Sequence, residues 1–340
     1  MTFTFVMDVD GTLCPIKKPN QEYSDLPCYP EMRDRLRMMK EQGAKIVLYS
    51  SRQMRTYNGD IEAIERYTRP VLEKWLAEHE IPYDSLILGK PWAGVRGYYV
   101  DDRAMLPQEF MTWKPSTLIV PICGRSSRYP KGKPKYLYPI GNKSMIEEAL
   151  SGVNLRLFSH KVFVVLREHE EQYRVSDTIF SFVPDAEIVL LDAYTSCQSE
   201  TVAVAIRIAG IEGNICIRDC DNRIDIPHIQ FGNAVAGYEL RYNDNPVSHS
   251  NKCFLVLDGK NVKRIEEKNP VSSVIGCGLY SFASASEFVD AYEHIDKDGE
   301  VYISDVISKM IADGTEFAYM QSISFIDWGT IDDYNREQGL

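Results

Sequence analysis

Short apolar runs that end in acidic or hydroxyl residues recur along this chain and constrain its fold more than any other feature. Five of them lie at residues 3–8, 45–50, 97–102, 214–221 and 324–327. Each has the length of a buried strand, and amphipathic helical patterns lie between them, as at residues 29–42 and 61–78. Strands that alternate with helices are typical of α/β folds, in which residues at the carboxyl ends of parallel strands meet at one edge. The sequence therefore predicts an α/β protein with its functional residues at strand ends.

The chain has 340 residues, enough for two domains that each bury a core. Residues 112–117 form a short boundary without a Gly/Ser-rich linker, and neither an internal repeat nor a low-complexity stretch is present. We predict two domains, at residues 1–115 and 116–340.

The net charge of −11 argues against nucleic acid or an anionic membrane as the main partner. It is compatible with phosphorylated small molecules, because acidic sites hold phosphates through Mg²⁺. No apolar run approaches the length of a membrane span, and the first residues lack the basic and apolar regions of a signal peptide. The eight cysteines include no Cys-x2-Cys pair. We expect a cytoplasmic protein with reduced thiols.

Four motifs in the first domain supply the residue types that phosphoryl transfer needs. Residues 8–12 have the sequence Asp-Val-Asp-Gly-Thr and directly follow an apolar strand, and the later motifs supply Ser50, Lys90, Asp101 and Asp102. Neighbouring carboxylates repel one another unless a cation or a proton lies between them. We therefore expect a Mg²⁺ site formed by Asp8, Asp10, Asp101 and Asp102, and the sequence leaves open which of the last two is the direct ligand.

These motifs, in this order, resemble those of the haloacid dehalogenase superfamily. The resemblance implies that Asp8 attacks phosphorus and forms an aspartyl-phosphate, and that Asp10 protonates the leaving oxygen and then activates water. It also implies that Ser50 and Lys90 hold phosphoryl oxygens while Mg²⁺ spreads the developing charge. The implied fold is Rossmann-like, with a minimal cap because residues 14–28 are too few to form a folded one.

Within that superfamily, residues 50–57, 89–92 and 99–102 look like those of the small phosphatases found with capsule-biosynthesis genes. The resemblance covers nearly all of residues 1–110 and indicates Arg55 as a substrate contact. A solvated position at the start of a helix is the alternative for Arg55.

A strand, a loop and a helix follow one another at residues 117–150 in the second domain. The loop contains Gly124, Arg125, Ser126, Ser127 and Arg128, and backbone N–H groups with fixed cations in such a loop suit a triphosphate. It is not a Walker loop, because the Gly-x4-Gly-Lys-Ser/Thr spacing is absent. An ordinary turn is the alternative.

This loop, with the Pro-Lys-x-Leu segment at Lys135, resembles the signature of the nucleoside-triphosphate transferases that activate sugar phosphates. Ser126 stands where that family usually has a second glycine. Residues 194–201 resemble the turn that contacts the nucleotide base, which indicates Gln198 and Ser199 as base contacts, although Cys197 replaces the usual glycine and a helix N-cap is the alternative. The implied fold is a second Rossmann-like, GT-A-like domain.

The same resemblance assigns the later strand ends of the second domain. It implies that Asp221 and Asp327, supported by Asp219, bind the Mg²⁺ of the nucleotide. It also implies that Glu267 and Lys268 contact the sugar or alcohol phosphate, although a solvated charge run is the alternative. An oxygen of that phosphate would attack the α-phosphorus in line, with Arg128 and Lys135 neutralising charge.

The sequence therefore predicts a bifunctional phosphatase and nucleotidyltransferase with one Mg²⁺ in each domain. We expect it to make a nucleotide-activated sugar, polyol or amino alcohol for a capsule or another surface polysaccharide. Its partners would be an NTP, with CTP favoured, and a phosphorylated small molecule, and a homo-oligomer is compatible with the sequence. The alternative is an active phosphatase whose second domain senses nucleotide or acts as a scaffold.

Overall fold

A computed structural model describes residues 3–94, 97–99, 101, 104–130, 132–241, 251–296 and 299–339. The chain divides into two units, Met1–Met111 and Thr112–Leu340, and each is described by itself. In the described part of the chain, no helix combines the length and the apolar character that a membrane span needs.

The first unit is built on a parallel sheet that has three strands among its described residues. They are β1 (Thr4–Met7), β2 (Lys45–Ser50) and β3 (Ser85–Leu88), with β2 in the centre. Met7 pairs with Leu48, and Ser50 pairs with Leu88, so the three carboxyl ends lie at one edge of the sheet. Its helices are α1 (Pro30–Glu41), α2 (Ile61–Tyr67), α3 (Arg69–Glu78) and α4 (Pro107–Thr112).

The helical patterns of the first unit appear nearly as predicted, with one interruption. The pattern at residues 29–42 forms α1, which begins at a proline and buries Met32, Leu36 and Met39 on one face. The pattern at residues 61–78 is split between α2 and α3 at Thr68, two residues before Pro70. A proline cannot donate the backbone hydrogen bond that a continuous helix needs there.

The prediction of a strand at residues 97–102 is wrong for the described part of that segment. The described residues 97–99 and 101 have no regular secondary structure, and Val100 and Asp102 lie outside the described residues. The Tyr99 hydroxyl donates a hydrogen bond to the Pro91 carbonyl at 2.5 Å, and its ring lies 4.0 Å from Lys90 Nζ. Tyr98 and Tyr99 are also largely exposed, whereas a central strand would bury them. This segment therefore packs on the residues after β3.

The second unit contains most of the regular structure. Its strands are β4 (Ser116–Pro121), β5 (Pro139–Ile140), β6 (Lys143–Ser144), β7 (His160–Leu166), β8 (Glu187–Leu191), β9 (Asn214–Arg218), β10 (Asn222–Asp225), β11 (Ala234–Glu239), β12 (Cys253–Asp258), β13 (Asn261–Glu267), β14 (Val274–Phe282), β15 (Phe317–Gln321) and β16 (Ser324–Asp327). Its helices are α5 (Met145–Ser151), α6 (Arg167–Tyr173), α7 (Val175–Phe182), α8 (Gln198–Ala209), α9 (Ala285–Glu293), α10 (Ile303–Ala312) and α11 (Ile331–Gln338).

One mixed sheet organises the second unit. Among the described residues it has nine strands in the order β11-β15-β13-β12-β14-β9-β4-β7-β8, and β11 also pairs with β14. Strands β9, β4, β7 and β8 are parallel, whereas β14 is antiparallel to β9. Apolar residues of β7, α8, β14 and α9, such as Val164, Val202, Phe282 and Phe288, share one core. This arrangement confirms the prediction of a mixed α/β fold.

Strands β10 and β16 form a separate antiparallel pair. Their register sets Asn222 opposite Asp327, although the two residues are far apart in the sequence. The pair follows β9 directly, so it lies where the predicted carboxylates of the second unit emerge.

Candidate active site

The loop after β4 is fixed by its own hydrogen bonds. Ser126 has a φ of 49°, in the left-handed region that favours glycine, so it adopts the backbone conformation expected where the resembling family has glycine. Its side-chain oxygen accepts a hydrogen bond from the Lys135 backbone N–H at 3.1 Å. The Tyr129 hydroxyl donates to the Trp328 carbonyl at 2.5 Å, which ties the loop to the residues after β16.

This loop forms one wall of a cavity of about 490 Å³ in the second unit. The other walls are residues 195–198 before and at the start of α8, residues 219–221 after β9, and Glu300, Tyr302 and Gly329. The predicted nucleotide-binding residues that line the cavity are Gly124, Arg125, Ser126, Ser127 and Gln198, and Arg128 and Lys135 line it as well. Ser199 is outside the lining and is completely buried.

The β10–β16 pair brings the buried Asp327 close to Asp221, which lines this cavity. The Trp328 backbone N–H donates to the Asp221 carbonyl at 2.8 Å. A Cβ atom placed on Gly329 would lie 3.3 Å from Asp327 Oδ1 and 3.8 Å from Asp221 Oδ2. Because glycine has no such atom, a small space lies between the two carboxylates.

Each of these carboxylates is paired with a lysine. Lys135 Nζ lies 2.5 Å from Asp221 Oδ2, and Lys252 Nζ lies 2.6 Å from Asp327 Oδ2. Burial raises the pKa of the Asp221 carboxyl, but Lys135, together with Lys252 and Arg218, outweighs this effect and holds that pKa below its ordinary value. Burial raises the pKa of Asp327 above its ordinary value, although Lys252 opposes that shift. The site therefore has two closely spaced ion pairs.

Asp219 accepts a hydrogen bond from an amide side chain, whereas Asp221 and Asp327 are paired with lysines. Gln198, the first residue of α8, donates a hydrogen bond from Nε2 to Asp219 Oδ1 at 2.6 Å. Burial and, to a lesser extent, the nearby Asp221 charge raise the pKa of Asp219 to about 6, against the opposing effect of the hydrogen bond from Gln198. Gly278 has a φ of 75°, and a Cβ there would lie 2.5 Å from Asp219 Oδ2. Residue 278 must therefore be small for Asp219 to occupy this position.

The predicted acceptor-binding residues lie beside the cavity. Glu267 Oε2 accepts a hydrogen bond from Ser304 Oγ at 2.6 Å, and burial raises the Glu267 pKa. The Lys268 ammonium contacts the Tyr302 hydroxyl, which in turn donates to Glu300 at 2.6 Å. Tyr302 and Glu300 line the cavity, so Lys268 reaches its edge through Tyr302.

Sequence reasoning missed two basic residues of this site, Lys252 and Arg218. Arg218 is fully buried, and its guanidinium donates to the Asn222 side chain and to the carbonyls of Asn222, Gly278 and Ala149. It therefore fixes the turn that carries Asp219 and Asp221. Its position at the end of an apolar strand could have indicated this role, because a charged side chain is rarely fully buried unless it has polar partners. Lys252 gave no signal in the sequence.

Two ion pairs mark the strand ends of the first unit. Lys90 Nζ lies 3.3 Å from Asp8 Oδ2, and the Lys90 backbone N–H donates to the Ser50 carbonyl at 3.1 Å. Arg52 donates to both oxygens of Asp10, from Nη2 at 2.8 Å and from Nε at 3.2 Å. The structure thus brings Asp8 to Lys90 and Asp10 to Arg52, with Ser50 buried at the end of β2.

Of the other residues predicted for the first unit, the structure describes Arg55 and Asp101. The Arg55 guanidinium lies 5.4 Å from the centre of the Trp92 ring, which is itself exposed. Asp101 is exposed, and Asp102 lies outside the described residues.

The residues of the second unit fit a magnesium ion. Within the described part of the chain no group of three or more His, Cys, Asp and Glu side chains converges on one point. Mg²⁺ is usually held by one or two carboxylates together with substrate phosphates and water. Asp221 and Asp327 provide two carboxylates around the space at Gly329, beside a cavity large enough for a nucleotide. In the first unit, Asp8 is one-third exposed and fits a metal better than Asp10, whose oxygens both accept from Arg52.

No protein-family model and no curated protein matches this sequence. Solved structures resemble it. A nucleoside-diphosphate-sugar pyrophosphorylase from Vibrio cholerae RC9 is 20% identical, with a TM-score of 0.55 over 66% of this chain and 100% of that chain. The inositol-1-phosphate CTP transferase from T. maritima is 10% identical, with a TM-score of 0.53 over 64% of this chain and 90% of that chain. A UDP-glucose pyrophosphorylase complexed with UDP-glucose is 14% identical, with a TM-score of 0.53 over 66% and 98%.

These likenesses establish the fold of about two thirds of the chain, which is the share that the second unit occupies. The three structural neighbours named above are two sugar pyrophosphorylases and a CTP transferase, all of which are nucleotidyltransferases. A further protein from Vibrio cholerae is 35% identical over 33% of this chain and 90% of that chain, with a TM-score of 0.32, which is too low to assign a fold.

Proposed function

We propose that the second unit is a nucleotidyltransferase that joins the nucleotidyl group of an NTP to a phosphate monoester. The observation that supports this proposal most is that Asp221 and Lys135, with Asp327 close to Asp221, lie at the cavity whose wall is the loop at residues 124–128. Two carboxylates, a lysine and a turn rich in backbone N–H groups are the components that nucleotide triphosphate chemistry requires.

The proposed reaction is an in-line displacement. An oxygen of the acceptor phosphate forms a bond to the α-phosphorus, and the bond to the bridging oxygen breaks, so that its electron pair leaves on pyrophosphate. Arg128 and Lys135 line the cavity and neutralise the triphosphate charge, while Gly124, Arg125, Ser126 and Ser127 hold its oxygens. Gln198, which lines the cavity, orients the base, whereas the buried Ser199 does not reach it, and Glu267 and Lys268 hold the acceptor.

A Mg²⁺ ion held by Asp221 and Asp327, with Asp219 beside them, would supply positive charge to the phosphate oxygens when bound. The chain's own residues prepare that site. Gln198 fixes Asp219, Arg218 fixes the turn after β9, and Gly329 leaves the space free.

The first unit is proposed to be a phosphatase of the haloacid dehalogenase type with a minimal cap. Asp8 is the nucleophile and one-third exposed, Lys90 lies beside it, and Ser50 ends the neighbouring strand. Asp10 is proposed to transfer the proton, and Arg52 orients its carboxyl group. A second Mg²⁺ would be held at Asp8 with Asp101 and Asp102, and Arg55 beside Trp92 would contact the substrate.

The product is proposed to be a nucleotide-linked, most simply CDP-linked, sugar, polyol or amino alcohol for a capsule or similar surface polysaccharide. A structural neighbour described as a CTP transferase supports CTP, and the likeness of the first unit's motifs to capsule-associated phosphatases supports that pathway. All eight cysteines are free thiols, which supports a cytoplasmic location.

The test is pyrophosphate release by the pure protein with Mg²⁺, for each of the four NTPs against a panel of phosphorylated sugars, polyols and amino alcohols. One productive pair is expected and would name both the base and the acceptor. No release with any pair, with brisk dephosphorylation of the same panel, would instead support a nucleotide-sensing or scaffolding second unit.

Two substitutions separate the activities. Asp8→Asn is expected to abolish phosphate release and spare pyrophosphate release, because it removes only the nucleophile of the first unit. Asp221→Ala is expected to do the reverse. Loss of both activities in either variant would contradict two separate sites.

A further inference from the structure

Among the described residues, Lys252 is a basic residue at the carboxylates of the second unit to which the proposed function gives no role. Its ammonium lies 2.6 Å from Asp327 Oδ2, and its side chain is 15% exposed. The ammonium also lies 5.4 Å from the centre of the Phe325 ring. The Lys252 charge acts on Asp221 as well, since it helps to lower the pKa of that carboxyl.

The backbone of Lys252 connects it to the predicted acceptor-binding segment. Lys268 donates a hydrogen bond from its backbone N–H to the Lys252 carbonyl at 2.9 Å. The next residue, Cys253, pairs with Glu267 in the β12–β13 ladder. Lys252 therefore connects Lys268, the proposed acceptor contact, with Asp327, the proposed metal ligand.

A structural role alone accounts poorly for this ion pair. Removing two charges from water costs about as much as their attraction returns, so a buried pair adds little net stability. Asp327 is also needed for a metal in the proposed function, and an ammonium and a Mg²⁺ ion compete for the same carboxylate. When a metal-bound nucleotide enters, Lys252 loses its counter-ion and gains anionic phosphates within reach of its four-carbon stem.

We propose that Lys252 is a catalytic residue that stands in for the metal at Asp327 in the free enzyme and moves to the acceptor phosphate when the metal-bound nucleotide binds. The exchange keeps the carboxylates paired in both states. It also places a cation on the attacking group, where negative charge would otherwise oppose the approach of two phosphates. This inference rests on the proposed nucleotidyltransferase activity.

The test compares Lys252→Met with Lys263→Met, an exposed lysine of the neighbouring strand β13 that serves as the control. In steady-state kinetics, kcat/KM for the acceptor is expected to fall about 100-fold or more in Lys252→Met, as on loss of one charge-stabilising donor, with the KM for the NTP little changed. The control is expected to match the wild type. An acceptor kcat/KM within about threefold of the wild type, or a loss confined to the NTP, would overturn the role.

A second readout does not depend on turnover. Without nucleotide, Mn²⁺ binding followed by titration calorimetry is expected to be about tenfold tighter in Lys252→Met, because the competing ammonium is gone. Mg²⁺ should likewise raise the melting temperature of this variant more than that of the wild type. Unchanged metal binding would refute the competition at Asp327.

Two further outcomes are possible: the variant does not fold, or the wild type releases no pyrophosphate. If Lys252→Met does not fold even with Mg²⁺, Lys252→Gln takes its place, because its amide still donates to Asp327 but carries no charge, and the same thresholds apply. If the wild type releases no pyrophosphate with any substrate pair, the proposed function fails and the acceptor role with it. The Mn²⁺ titration then decides alone whether Lys252 competes with a metal.

Discussion

Replacing Gly329 by alanine is predicted to impair nucleotidyl transfer while leaving the fold intact. The backbone of Gly329 does not require glycine, since its φ is outside the left-handed region. The new Cβ would lie 3.3 Å from Asp327 Oδ1, a contact tight enough that the carboxylate must move by a few tenths of an ångström. It would also lie 3.8 Å from Asp221 Oδ2. The methyl group therefore enters the space between the two proposed metal ligands.

The substitution is expected to lower the rate strongly and to change the free energy of unfolding little. Mg²⁺ demands near-octahedral oxygen geometry, and a misplacement of about 1 Å costs roughly 100-fold in rate, so we expect a loss of about 10- to 100-fold. For stability, the alanine restricts the unfolded chain and gains about 0.4–1 kcal/mol, which offsets the cost of the close contact. The net change in unfolding free energy should remain within about 1 kcal/mol, or a shift in the urea midpoint of less than about 1 M.

The assay is pyrophosphate release as a function of Mg²⁺ concentration, with the acceptor and NTP saturating. The half-saturating Mg²⁺ concentration should rise and the maximal rate should fall. Phosphate release by the first unit, measured on the same preparation, is the internal control and should not change. A variant with the wild-type rate and the wild-type Mg²⁺ dependence would refute the placement of a metal between Asp221 and Asp327.

Two further predictions concern stability. Arg52→Ala leaves the Asp10 carboxylate without the guanidinium that binds both its oxygens, and should lower the free energy of unfolding in urea by about 3 kcal/mol, an effect that an unchanged midpoint would contradict. His169 has a pKa lowered by burial from its ordinary 6.5, so the unfolded chain takes up its proton more readily, and stability should fall as the pH drops below about 6.5. His169→Asn should flatten this fall between pH 7.5 and pH 5 in urea titrations, and an identical slope in both proteins would show that His169 is not its source.

The elements that local patterns specify were predictable from the sequence. The helix that ends the strand, loop and helix predicted at residues 117–150 is α5, whose cap is Ser144, and the strand predicted at residues 45–50 is β2. Both combine a clear apolar period with a recognisable start signal. The run at residues 97–102 has the same apolar character but not the strand, because Tyr99 finds its partners at Pro91 and Lys90. Apolar character alone does not specify a neighbouring strand.

The pairing of distant residues at the site could not be derived from local patterns. Asp221 and Asp327 were grouped only through a family resemblance, and the contact that joins them is the register of β10 against β16. The partner of Asp10 was equally hidden. Arg52 follows the predicted hydroxyl motif by two residues, but its guanidinium reaches Asp10 only because β1 and β2 are adjacent and parallel.

The electrostatics of buried carboxylates nevertheless limits which sequences can form this site. Three carboxylates at Asp219, Asp221 and Asp327 cannot be buried together without opposing charge or protons, because each uncompensated charge in a protein interior costs several kcal/mol. The chain supplies Lys135, Lys252 and the buried Arg218 for this purpose, and Asp219, which pairs with no lysine among the described residues, has the raised pKa of about 6. The number of cations required was therefore implied by the acidic motifs. Their identity was not, because a lysine acts through a long stem from wherever the fold places its backbone.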